Sequence, residues 1–220
     1  MNPDLIVVLV GQTGAGKSAS GNTILGRPAF KSQMSLTQSK EVEGRRVKVV
    51  DTPGFTDQVL TPKQLFLQIM KVIEVASPGP HAFVVVVTLG RITSAEKIMF
   101  EILKKLFGRD ALKYAMVLFT HGDKLGDQSI DQLIQSNTLV KNLVSMCGGR
   151  YCVFDNTKRG NREQIRNLLD AIDEMVTAND RKNDTSEMVP VNDGGYYTSE
   201  MFKDINTSKL MKMWLAVRKS

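Results

Sequence analysis

Cysteine, histidine and aromatic residues are scarce in this chain. Its two cysteines, Cys147 and Cys152, are too few for a disulfide framework. The two histidines, His81 and His121, lie too far from them in sequence to make a zinc site. Buried free thiols in a reducing compartment are the expectation. Aromatic residues make up 6% of the chain, and the positive residues behind its net charge of +6 are interspersed with acids. A basic patch with interleaved stacking aromatics is missing, so nucleic acid is not an expected partner. No apolar run approaches the roughly 20 residues that cross a bilayer. The opening "MNPDLIVVLV" has neither a basic region nor a small-residue cleavage site, so no signal peptide is expected and the location reads as cytoplasmic.

What is present is a good core former, with 42% hydrophobic residues. Apolar, β-branched runs recur at Leu5–Val10, Val47–Val50, Ala82–Val87, Tyr114–Phe119 and Tyr151–Phe154. Most are continuous rather than alternating, as strands covered on both faces require. Helical patterns lie between them. One opens at Thr61-Pro62 and ends at Ser77-Pro78-Gly79-Pro80; a second follows the capping box "TSAE" (Thr93 to Glu96) and stops at Gly108. A third region starts at "SIDQ" (Ser129 to Gln132) and closes at Cys147-Gly148-Gly149, and a last amphipathic helix covers Asn161 to Val176. "KEVEGRRVKVV" reads as a hairpin turning at Glu43-Gly44. The predicted fold is therefore α/β, a mostly parallel central sheet with helices on both faces. Residues 1–178 are expected to form the domain. Residues 179–220 read as a polar linker and a short basic amphipathic tail, with Leu210, Met213, Trp214 and Val217 at helical spacing and Lys209, Lys212, Arg218 and Lys219 beside them. Such a tail suits peripheral contact with an anionic membrane, docking on its own domain, or disorder.

Chemistry enters at the end of the first strand. Gly11 to Ser18 reads G-x-x-x-x-G-K-S between a strand and a helix, the context that makes a phosphate loop credible. Glycines let successive backbone N–H groups turn inward around phosphate oxygens, and the helix N-terminus adds partial positive charge. Gly11, Gln12, Thr13, Gly14, Ala15, Gly16, Lys17, Ser18 and Ala19 are the expected phosphate-binding residues. Lys17 reaches the β- and γ-phosphates, and the Ser18 hydroxyl ligates Mg²⁺. The P-loop places the chain with the nucleoside-triphosphate binders.

Two further strand ends choose the nucleotide. Asp51-Thr52-Pro53-Gly54 follows a strand directly, so Asp51 is expected to hold Mg²⁺ through a water and Gly54 to offer its N–H to the γ-phosphate. "VLFTHGDK" places Thr120, His121 and Asp123 at another strand end. A carboxylate accepts from both N1–H and the 2-amino group of guanine, and adenine offers neither, so Asp123 selects GTP and GDP. His121 stands where similar proteins carry a lysine whose stem packs on the base, and its imidazole is expected to stack there. In "VFDNTKRG", Asn156, with Asp155 as the alternative, is expected at the guanine edge.

Together "GQTGAGKSASGNTILG", "DTPGF", "SPGPHAFVVVVTLGRIT", "VLFTHGDKL" and "CGGRYCVFDN" resemble the GIMAP family of immunity-associated GTPases, relatives of septins and of the chloroplast Toc receptors. The resemblance spans Asp4 to Val176 and extends weakly to Gly194–Phe202. It implies a Ras-like G domain with extra helices, GTP and GDP binding, and homo-dimers or homo-oligomers in the GTP state. Several family members act as scaffolds on intracellular membranes of lymphocytes, which implies a part in immune-cell survival. Family members carry a longer segment before the second strand, including a threonine that senses Mg²⁺ and the γ-phosphate. Here Phe30 to Thr37 runs almost directly into the hairpin, the second strand is expected to be short, and Thr37 is the one stand-in. The resemblance thus speaks for binding more firmly than for switching.

Many GTPases place a Gln after D-x-x-G to orient the attacking water; Phe55 stands there instead. Slow hydrolysis follows. Arg91, just past the strand Ala82–Val87, is the candidate catalytic residue, acting as an arginine finger on the nucleotide of a dimer partner. The leading expectation is a slow, oligomerising guanine-nucleotide switch or scaffold. Alternatives are an actively cycling hydrolase stimulated by dimerisation, a small-molecule kinase or ATPase, and a nucleotide-locked module.

Overall fold

A computed structural model describes residues 4–30, 37–52, 74–92 and 109–183, together with Gly54, Gln68, Lys71 and Val72. Among them six strands form one sheet: β1 (Leu5–Gly11), β2 (Thr37–Val42), β3 (Arg45–Asp51), β4 (Ala82–Thr88), β5 (Ala115–Thr120) and β6 (Tyr151–Phe154). Their order is β2-β3-β1-β4-β5-β6. Only β2 runs antiparallel to its neighbour β3; the other neighbouring pairs are parallel. Among the described residues the bounded helices are α1 (Lys17–Leu25), α2 (Ile130–Ser136), α3 (Thr138–Met146) and α4 (Arg162–Asn183), and Gln68, Lys71, Val72, Glu74 and Val75 are helical as well.

The continuous apolar runs are explained by burial on both faces. Along β1, Ile6, Val8 and Val10 enter the core under α3, while Leu5, Val7 and Leu9 enter the core under α1 and α4. Every residue of β1, β4 and β5 is buried. The hairpin turns at Glu43-Gly44, both at positive φ, and pairs Thr37 with Val50 through to Val42 with Arg45. The β2 strand, expected to be short, thus keeps six residues on the ladder.

The structure amends several expectations. Thr37 is the first residue of β2, seated on the sheet opposite Val50, rather than part of a loop over the site. The strand expected from Tyr114 begins at Ala115, because Tyr114 ends a 3-10 turn from Arg109. The helical region opened by Ser129 does form, with the full Ser129–Gln132 capping box, but it breaks at Asn137, whose side chain caps α3. The last helix runs through the expected boundary at residue 178 to Asn183, and Asn179 Nδ2 donates to the Lys113 carbonyl at 3.0 Å. Phe55, the Thr93–Gly108 helix, most of the Thr61–Ser77 helix and the C-terminal tail lie outside the described residues. No helix among the described residues is long and apolar enough to cross a membrane.

His81 shows how the sheet is closed at its other end. Its Nδ1 accepts from the Ile6 N–H at 3.0 Å, and its own N–H donates to the Ile6 carbonyl at 2.8 Å. The imidazole extends the β1–β4 ladder by one rung.

Candidate nucleotide site

From β1 the chain passes to β2 and β3 on one side of it and then crosses to β4 on the other, so the sheet order reverses around β1. Crevices at such a point, beyond the carboxyl ends of the strands, are where open α/β sheets hold ligands. The segment 11–16 occupies that point. Gly16 adopts φ +97°, and a Cβ there would meet the Thr120 side chain at 3.2 Å. Glycine is therefore required for both the turn and the close packing. Thr13, Gly14 and Ser18 are exposed, Gln12 and Ala19 half-buried, and Ala15 buried.

Lys17 is buried, and its Nζ donates to the carbonyls of Gly11 at 3.1 Å and Gln12 at 2.8 Å. The ammonium is thus held over the mouth of the loop. Beside it, the Ser18 hydroxyl donates to Asp51 Oδ2 at 2.5 Å. Burial pushes the Asp51 carboxyl above its ordinary range, while the Ser18 hydrogen bond and Lys17 oppose that shift. Its other oxygen, Oδ1, is buried with no hydrogen-bond partner among the described residues. A buried carboxylate oxygen without a partner, next to a hydroxyl and below a phosphate loop, is the oxygen donor set that suits Mg²⁺. Thr52 fixes this corner by donating from Oγ1 to the Leu9 carbonyl at 2.7 Å, and Gly54 is buried just beyond.

The base end is built from the ends of β5 and β6. His121 takes a left-handed conformation (φ +61°) and its Nδ1 lies 3.3 Å from Thr120 Oγ1. A 3-10 turn over Gly122–Leu125 follows and carries Asp123 exposed in its first turn. Gly122 rests on β6, where a Cβ would come within 2.8 Å of Val153 Cγ1. A cleft of about 260 Å³ lies beside Asp123, Asp155 and Lys158 at the β6 edge.

Two of the expected nucleotide-binding residues have their side chains bonded within the protein. Thr120 is fully buried, and its hydroxyl donates to the Ala15 carbonyl at 2.9 Å. Its hydroxyl thereby braces the phosphate loop. The Asn156 side chain bonds to α1: Oδ1 accepts from Thr23 at 2.8 Å and Nδ2 donates to Ser20 at 3.2 Å. Its alternative, Asp155, is held below the usual carboxylate range first by the Thr157 hydroxyl, which donates to Oδ1 at 2.5 Å, and then by the Thr157 N–H at 3.0 Å and Lys158 at 3.4 Å. Arg91 is exposed in the turn after β4, with its N–H donating to the Thr88 carbonyl at 3.1 Å.

The pattern of the AIG1 family matches residues 5–214. This chain belongs to the AIG1 family. Among its relatives, GTPase IMAP family member 8 of Mus musculus is 34% identical over 191 residues, 82% of this chain and 27% of that protein. Immune-associated nucleotide-binding protein 9 of Arabidopsis thaliana is 32% identical over 203 residues, 85% of this chain and 59% of that protein. The AIG1 chain therefore spans about a quarter to three-fifths of the length of these curated relatives. Among solved structures, Toc33 of Arabidopsis thaliana in complex with GDP and Mg²⁺ aligns with a TM-score of 0.58 at 18% identity, covering 81% of this chain and 86% of that one. The FeoB G-domain of Methanococcus jannaschii aligns at 0.53 and 17%, covering 79% and 99%. The fold is that of the P-loop GTPases.

Proposed function

We propose that this AIG1 chain binds GTP and GDP with Mg²⁺, hydrolyses GTP slowly, and self-associates in its GTP state. The observation that carries the reading is the line of Lys17, Ser18 and Asp51 under the phosphate loop, with Asp123 on a loop that Thr120 ties to the same segment. In that line Lys17 and the loop amides bind the phosphates, Ser18 and Asp51 hold Mg²⁺, and Asp123 accepts from guanine. When bound, Mg²⁺ supplies charge neutralisation between the β- and γ-phosphates.

Phe55 after D-x-x-G supports slow hydrolysis. Arg91, exposed past β4, is the residue that would serve a partner's nucleotide, and its exposure supports that role. For Toc33, one structure is of a dimerisation-deficient arginine-to-alanine mutant, and another carries the statement that dimerisation is important for the GTPase activity of atToc33 and psToc159. Titrating GDP, a non-hydrolysable GTP analogue and ATP with Mg²⁺ while following particle mass by light scattering tests the whole proposal. Guanine nucleotides should bind, ATP should not, and mass should rise with the analogue alone. Binding without any change in mass would remove the assembly step.

One observation favours a second reading. Thr37 sits on the β2–β3 ladder opposite Val50, and a residue held by a sheet is poorly placed to follow the γ-phosphate. A nucleotide-locked module would bind GDP and the analogue equally. The cytoplasmic location, peripheral membrane contact through the basic tail and a part in immune-cell survival are extensions of the proposal. Sedimentation of anionic liposomes with the full chain and with a version ending at Asn206 tests the tail, and equal binding would remove it.

A further inference from the structure

Helix α1 buries an unusually polar face. Ser20 and Thr23 are 0% exposed, and Lys17 and Asn22 are nearly as deep. Buried hydroxyls and amides cost free energy unless bonded, so each points to a partner that the fold supplies. Asn22 is answered by the backbone of Phe30, donating at 3.2 Å and accepting at 2.7 Å. Ser20 and Thr23 are answered from the far end of the chain. Thr23 Oγ1 lies 2.8 Å from Asn156 Oδ1 and 3.0 Å from the Ala19 carbonyl, and Asn156 Nδ2 donates to Ser20 Oγ. Both ends of the Asn156 amide are therefore committed to the helix that begins with Lys17 and Ser18.

We propose that Asn156 is a positioning residue for guanine-nucleotide binding. Its amide latches the loop after β6 onto α1 and so sets the spacing between the base end and the phosphate end of the site. The inference rests on the guanine-nucleotide reading above. The Thr120–Ala15 hydrogen bond is a second tie of the same kind, from the last residue of β5 to the segment ahead of Lys17. Gln164 steadies the latch from behind: its Oε1 accepts from the Asp155 N–H at 3.0 Å and its Nε2 donates to the Lys158 carbonyl at 3.1 Å. A residue that touched the purine directly would act without the α1 hydroxyls, whereas a latch acts only through them.

A double-mutant cycle separates these roles. Affinities for a fluorescent GDP, with Mg²⁺, are measured for the full chain and for Asn156→Ala, Thr23→Val and the double variant, with inorganic pyrophosphate as competitor. Each single change should weaken GDP by about tenfold, and the double should be no weaker than the worse single, because one interaction is lost in all three. Pyrophosphate should compete within about twofold of wild type throughout, since the phosphate loop is untouched. Ser20→Ala takes the place of Thr23→Val if circular dichroism shows that variant misfolded. Wild-type GDP affinity in the α1 variant, or additive losses in the double, would overturn the latch. Equal loss of GDP and pyrophosphate would overturn it too, by reducing Asn156 to general stability. A wild-type chain that ignores GDP would instead remove the underlying proposal, and the latch with it.

Discussion

The Thr120 hydroxyl donates to the carbonyl of Ala15 across 2.9 Å, joining the end of β5 to the phosphate loop, 105 residues away in sequence. Thr88 Oγ1 reaches the same oxygen at 3.4 Å from the neighbouring strand end. Thr120→Val keeps the side-chain shape and removes the donor. It should cost about 1–2 kcal/mol of stability, read as a Tm lower by about 2–4 °C for each kcal/mol, and it should speed GDP release. An unchanged Tm together with an unchanged release rate would show that the brace carries no energy.

Gly122 packs so closely on Val153 that an alanine there must displace the base loop. Gly122→Ala should destabilise the fold by about 1–3 kcal/mol and weaken GDP binding. Adding Val153→Ala makes room and should restore part of both. A second change that restores neither would mean that the contact does not set the loop's position.

At the opposite end of the sheet, His81→Ala removes the acceptor for a buried N–H of β1. The expected loss is about 1–3 kcal/mol in chemical denaturation, with GDP affinity held. A fall in affinity larger than the fall in stability would place His81 in the site.

Burial pushes the thiols of Cys147 and Cys152 up to about 12. Their thiolate forms are therefore negligible at pH 8, and a disulfide reagent should leave the native chain unlabelled while modifying both after denaturation. The sign for stability follows from the same shift. These are acids whose folded values lie above the ordinary thiol value, so their contribution holds below that value and fades as pH rises through about 12. Rapid labelling of the native protein at pH 8 would contradict this.

Much of the site was legible because its signals are local. The phosphate loop, Asp51 and Asp123 each follow an apolar run at a strand end, and pattern alone places them in one crevice. The roles of Thr120 and Asn156 were not legible. Their partners lie 105 or more residues away, and nothing near either residue indicates which oxygen or amide it will meet. Local signals also mark boundaries imperfectly. The capping box at Ser129 forms as the sequence implies, yet Asn137 caps a new helix at a position where apolar spacing continues. The polar stretch after Thr177 reads as linker, but it extends α4 to Asn183, and Asn179 fastens it to Lys113.

The central claim is that Asp123 chooses the purine of a nucleotide held by Lys17 and the phosphate loop. Calorimetric titration of the wild type and of Asp123→Ala with GDP and with ADP, at fixed Mg²⁺, tests it most directly. The wild type should prefer GDP by roughly a thousandfold or more, as sites built around specific hydrogen bonds do, and the variant should lose that preference. Equal affinity of the wild type for both nucleotides, or a preference that survives in Asp123→Ala, would contradict it.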